Sequence, residues 1–183
     1  LDPIGYPGPY NRHDAFRVAR VLDELGFFWL EDPLPLTDLE GLAALREACK
    51  VVQVRAHDNV QDIRQYDALL RRGCMDIIGG NPLGITGLMK VAALAEANHM
   101  KMEPHDFGGG NASLHVLLAI TNGDYYEVAV PVGSFHEKMY PGMYLDAPAI
   151  DSEGYAVTPT KPGLGFEFDM NAVKRWTGET VKV

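Results

Sequence analysis

Five short apolar runs recur along this chain at a near-constant interval, each followed by a polar residue of a kind that binds ligands or moves protons. Those residues are Glu31, Asp58, Asn81, His105 and Glu127, and successive ones stand 27, 23, 24 and 22 residues apart. The interval is that of one strand, one covering helix and two turns, so each step is one βα unit. A chain built of such units folds into a parallel sheet. In open α/β sheets and in (β/α)8 barrels alike, ligands bind at the C-terminal ends of the strands, which is where these five residues fall.

The runs are Phe27–Leu30, Val51–Val54, Met75–Ile78, Met100–Met102 and Tyr125–Val128, expected as short strands covered on both faces. Between them, apolar residues recur at helical spacing. Ala15, Val18, Ala19, Leu22 and Leu25 mark a first helix, which Gly26 stops; Leu39, Leu42, Leu45 and Cys49 mark a second. Thr37 and Glu40 have capping-box spacing at the start of the second, with Asp38 favourable to its dipole. Ile63, Tyr66 and Leu70 mark a third that ends at Gly73; Ile85, Leu88, Val91, Ala92 and Ala95 mark a fourth. A shorter fifth runs from about Ala112 to Thr121 and closes at Asn122-Gly123.

A complete barrel needs eight strands and typically about 250 residues. This chain has 183, with five strands and a leading helix. The expectation is an incomplete barrel over residues 1–131. Beyond residue 131 the pattern changes to proline, glycine and aromatic residues, so 132–183 reads as an irregular extension that packs on something else. Leu1 is not Met, and missing strands would expose a sheet edge, so a truncated chain is expected.

Composition narrows the partners. Hydrophobic residues make up 46% and charged residues 22%, a globular balance that argues against disorder. Acidic residues outnumber basic ones by 25 to 16 and no basic cluster stands out, which argues against nucleic acid and anionic membrane as partners. No apolar run approaches the roughly 20 residues that span a bilayer, and Leu1–Gly5 lacks the pattern of a signal peptide. A cytoplasmic protein is expected, with Cys49 and Cys74 as buried thiols.

Four motifs stand in order at this spacing: Trp29-Leu30-Glu31-Asp32-Pro33, the strand end from Val52 to Asp58, Glu103-Pro104-His105, and Pro162-Gly163-Leu164-Gly165. Together they resemble the mandelate racemase and muconate lactonizing branch of the enolase superfamily, over nearly the whole chain. The resemblance implies a (β/α)7β TIM-like barrel, of which this chain supplies about strands four to eight and the C-terminal piece of the capping region. It also implies Mg²⁺ as cofactor, held by carboxylates at three successive strand ends, here Asp2, Glu31 and Asp58. Asp58 stands where most relatives have Glu, a side chain longer by one carbon–carbon bond of about 1.5 Å. His57 is a competing ligand of a softer kind. The segment Pro3–Pro9 resembles a short insertion at the mouth of the site.

By the same resemblance, His105 is the general base or acid at one strand end, and Glu127 donates a hydrogen bond to the substrate carboxylate, protonated through burial. Asn81 stands where many relatives have an Asp that orients this histidine. It holds the ring without stabilising its charged form, and Asp106 or Glu103 are the available substitutes. His136, Tyr140 and Tyr144 are candidates for the entrance, and Gly108-Gly109-Gly110 for a turn that lets backbone approach a ligand.

These roles imply removal of a proton α to a carboxylate through an enediolate. The favoured outcome is loss of a β-hydroxyl from a sugar acid, giving a 2-keto-3-deoxy acid. The alternatives are a racemase or epimerase of the same superfamily, and a non-catalytic piece of barrel that only binds metal or a partner. The expected partner is a small carboxylate substrate, with the full-length protein a homo-oligomer.

Overall fold

A computed structural model describes residues 10–56, 58, 60–80, 84–105, 112–127, 145 and 150–176. Helices and strands alternate in order: α1 (Arg12–Leu25), β1 (Trp29–Glu31), α2 (Leu39–Ala48), β2 (Gln53–Ala56), α3 (Ile63–Arg71), β3 (Ile77–Gly80), α4 (Gly84–Ala97), β4 (Lys101–Pro104), α5 (Ala112–Ala119) and, in the C-terminal extension, α6 (Met170–Trp176). The strands form one all-parallel sheet in the order β1-β2-β3-β4. Each neighbour in the sheet is the next strand in the chain, as repeated βα units require.

Helix ends follow local chemistry. Asn11 caps α1, its side chain accepting from the Asp14 amide, and Gly26 ends it in the left-handed conformation at φ 68°. At α2 the capping box expected from Thr37 is displaced by one residue. Asp38 is the cap, its carboxylate accepting from the Gly41 amide while ion-paired to Arg12.

Every strand begins one or two residues later than its apolar run. The leading residues Phe27, Phe28 and Val51 are exposed and lie before the ladder. The reason is visible at β2, where the Asp23 carboxylate accepts from the amides of Lys50, Val51 and Val52 at 2.7–2.8 Å. Those amides are thus satisfied before the sheet starts. Asp76 does the same work beside β3, accepting from the Val54 amide and from Arg46.

The expected fifth strand differs most. Tyr125, Tyr126 and Glu127 lie outside the sheet, and Val128 is outside the described residues. Met102 donates to the Asn122 carbonyl at 2.9 Å, but the next amides, of Asp124 and Tyr125, turn to the Glu103 carboxylate. A side chain has taken the donors that a ladder would need. Tyr125 also stacks edge-on against Phe28 and Trp29, with ring centroids 5.5 and 5.8 Å away, so this segment touches both ends of the sheet and the sheet is curled.

Curling gives the two faces different chemistry. Strand residues alternate between faces with period two. By register, Leu30, Val54, Ala56, Ile78 and Met102 share the outer face. Most of these join Ala19 and Leu22 of α1, Leu42 and Leu45 of α2, Tyr66 and Leu69 of α3, Val91 and Ala95 of α4 and Val116 of α5 in one core. The inner face carries Trp29, Glu31, Arg55, Ile77, Gly79 and Glu103. Both faces are covered as expected, but the inner one is charged. Of the two cysteines, both free, Cys74 is buried and Cys49 only half-buried, a partial correction to their expected burial.

At Gly79 the inner face has no room for a side chain. A Cβ there would lie 2.8 Å from Asp58 Oδ1 and 3.1 Å from Arg55 Cζ. Gly79→Ala is expected to cost about 1–3 kcal/mol by overpacking, read by urea denaturation; an unchanged midpoint would contradict this packing. Asp23→Ala is expected to cost about 2 kcal/mol through its lost charge-assisted hydrogen bonds. Burial of Asp23 pushes its carboxyl up, but the three amides together outweigh that and hold it below the ordinary range. A lowered folded-state pKa gives stability that is present above the unfolded-state value and lost as pH falls through the folded one. The gap between the protein and Asp23→Asn should therefore close at acid pH.

Candidate functional site

The inner face leads to the C-terminal strand ends, and four of the expected residues meet there. Glu31 is the last residue of β1, and Asp58 lies two residues beyond β2. His105 follows β4 directly, its amide donating to the Gly80 carbonyl at 2.8 Å so that the histidine continues the ladder. Glu127 reaches the group from the extended segment. His105 Nε2 is 3.7 Å from Asp58 Oδ2 and 3.6 Å from Glu127 Oε1. Asp2, His57, Asn81, Asp106, Gly108–Gly110, His136, Tyr140 and Tyr144 lie outside the described residues.

Two expectations about carboxylates change. The Glu127 side chain is 45% exposed, so the burial invoked for it is not found. Glu103, a possible partner for the histidine, instead spends its carboxylate on the Asp124 and Tyr125 amides. Burial pushes Glu103 up from the usual range, and those two amides pull against the rise.

Between the carboxylates sits a residue that the sequence pattern does not single out. Arg55 is 2% exposed. Its Nη1 is 2.5 Å from Glu31 Oε1 and 3.0 Å from Asp58 Oδ1, and its Nη2 donates to the Glu103 carbonyl at 2.9 Å. Burial works against its charge, but Asp58 and Glu31 outweigh that and hold the guanidinium firmly protonated. Burial pushes the Glu31 carboxyl up to about 7 against the pull of Arg55, with Asp58 adding to the rise. The other Glu31 oxygen accepts from Trp29 Nε1 at 3.1 Å.

Asp32 fixes the second carboxylate. It is fully buried, takes a positive φ of 42°, and accepts from the Asp58 amide at 3.2 Å. Asp is among the few residues that enter this conformation readily. The Glu-Asp-Pro motif therefore does two jobs, Glu31 facing inward and Asp32 anchoring the loop that carries Asp58. A sequence signal for Arg55 does exist. It is a lone cation flanked by Val54 and Ala56 in an apolar strand, in register with Glu31.

The donor set suits a hard cation. Glu31 and Asp58 offer oxygens, and Asp58 Oδ1 is buried without a partner in hydrogen-bond geometry, although Arg55 faces it. Among the described residues no group of three or more His, Cys, Asp or Glu side chains is placed to hold a metal ion.

Relatives bear on this arrangement. Arabinonate dehydratase of Saccharolobus solfataricus is 25% identical over 163 residues, 86% of this chain and 42% of that protein. Muconate cycloisomerase 1 of Rhodococcus opacus is 31% identical over 177 residues, 92% of this chain and 45% of the relative. Among solved structures, D-glucarate dehydratase from Agrobacterium tumefaciens complexed with magnesium superposes with a TM-score of 0.79 at 25% identity, over 91% of this chain and 44% of the other. The chain thus spans less than half the length of each. The model of the family described as Enolase C-terminal domain-like matches residues 5–172. With a parallel sheet of consecutive βα units and its polar residues gathered at the C-terminal strand ends, the chain belongs to the mandelate racemase and muconate lactonizing branch of the enolase superfamily and carries a C-terminal portion of its barrel.

Proposed function

We propose that the full-length protein removes the proton α to the carboxylate of a sugar acid and expels the β-hydroxyl, giving a 2-keto-3-deoxy acid. The observation that carries this reading is the His105 imidazole, held at a strand end within 3.7 Å of Asp58 and Glu127 and beside a buried cluster of opposite charges. Dehydratases of sugar acids among the relatives support the choice of reaction.

The chemistry follows from charge. Proton removal α to a carboxylate creates an enediolate with two negative charges, which needs positive charge and hydrogen-bond donors already in place. Glu31 and Asp58, with Asp2, are the residues to hold Mg²⁺, which when bound supplies that positive charge beside the substrate carboxylate. His105 Nε2 takes the proton or returns one to the departing hydroxyl, imidazole being the side chain suited to both directions near neutral pH. Glu127, on the open side of the site, donates to the substrate carboxylate once bound substrate has covered it, burial beside that second carboxylate favouring its protonated form. Asn81 orients the imidazole without adding a charge.

His105→Asn is expected to lower kcat by about 10²- to 10⁴-fold, the usual worth of a general acid or base, with KM little changed. Undiminished turnover would remove the histidine from the mechanism. A screen of sugar acids by 2-keto-acid formation tests the reaction itself. Exchange of the α-proton with solvent deuterium and inversion of the substrate, without 2-keto acid, would favour the racemase reading instead. The solved structure of a racemase from Streptomyces coelicolor A3(2) with bound magnesium, 25% identical to this chain, keeps that second reading in view.

A further inference from the structure

We propose that the Arg55 guanidinium is the resident cation of the strand-end carboxylates and competes with a divalent metal ion for Glu31 and Asp58. The contact is built into the fold at several points. Glu31 and Arg55 are register partners on adjacent strands, so the ladder itself sets them side by side on the inner face. Arg55 then reaches over β3 to donate to the Glu103 carbonyl on β4, and it does so above Gly79, where a Cβ would lie 3.1 Å from its Cζ. The same missing Cβ leaves space for Asp58 Oδ1. Asp58 is in turn anchored through its amide by buried Asp32.

The consequence is a competition between two cations for the same oxygens. Glu31 Oε1 and Asp58 Oδ1 both face Nη1, the atoms a hard cation would also take. A guanidinium stays charged at any working pH, so deprotonation cannot remove it. Either Arg55 withdraws when a metal ion enters, or the ion binds against a positive charge a few ångströms away. Even at the dielectric constant of water, a +1 charge about 4 Å from a +2 ion weakens binding by more than a factor of about 10. The carboxylates should thus hold a divalent ion loosely, and Arg55 sets how loosely.

This rests on the reading of Glu31 and Asp58 as cation-binding carboxylates, but on neither the substrate nor the reaction. The test is Mn²⁺ binding, followed by electron paramagnetic resonance of the free ion, in the full-length protein and in Arg55→Met and Arg55→Gln. Both variants should bind Mn²⁺ at least about tenfold more tightly than the parent, and Glu31→Gln added to either should abolish the gain. Equal or weaker binding by a folded variant overturns the proposal, as does a gain that survives Glu31→Gln. If neither variant folds by circular dichroism, the parent decides the matter. In ¹⁵N-arginine-labelled protein, the buried Arg55 Nε–H signal should move as Mg²⁺ is titrated to the millimolar range, and an unmoved signal overturns the proposal. Loss of turnover in His105→Asn bears on the reaction alone, so the two readings fail separately.

Discussion

One buried guanidinium organises the inner side of this sheet. Charge taken out of water is costly unless paired and hydrogen-bonded, and a broken buried pair typically costs about 3–5 kcal/mol. Arg55 meets that demand with Glu31 on one neighbouring strand, Asp58 beyond its own strand, and the Glu103 carbonyl two strands away. Those contacts hold only at one register of β1, β2 and β4, and only with glycine at position 79 of β3. The charged contact therefore helps to fix strand register on the inner side, next to the buried apolar Ile77.

The two ends of the strands are divided in a related way. At the N-terminal ends, Asp23 and Asp76 accept backbone amides and an arginine, work that steadies turns and touches no site residue. At the C-terminal ends, Glu31, Asp58, His105 and Glu127 converge. In (β/α)8 folds the first end is generally concerned with stability and the second with catalysis. The aspartates here follow that division, although composition alone makes them indistinguishable from the acidic residues of the site.

How much of this is legible in the sequence differs from element to element. Most of the helices read well because they bury a stripe at helical spacing, as Leu88, Val91, Ala92 and Ala95 do on α4, although the expected marker residues Leu25, Ile63 and Ile85 are exposed. Strand ends read well because the repeat of one βα unit fixes where the next polar residue falls. The strand at Tyr125 fails in the described residues because its amides go to the Glu103 carboxylate, a long-range choice that no local pattern records. The α2 cap moves from Thr37 to Asp38 for a similar reason, since Asp38 is also held by Arg12 from α1. Helix α6 is short and lies in a stretch without clear periodicity. Arg55 escapes because an alternating pattern marks it only as an inward residue, and its partners lie on three other segments.

Asp58 and Arg55 make physical sense as one unit rather than two. A Glu at position 58 would be longer by one carbon–carbon bond, about 1.5 Å, and would carry its oxygens further toward the centre of the site. The Arg55 guanidinium stands against the short Asp58 carboxylate, 3.0 Å from its Oδ1, and balances part of its negative charge. Lengthening Asp58 alone would drive an oxygen into the guanidinium, while removing Arg55 alone would leave Glu31 and Asp58 facing each other without a buried cation. Each residue is tolerable because the other is present. Coupling of this kind predicts that substitutions at the two positions are strongly non-additive, as is usual for residues that share one buried charge network.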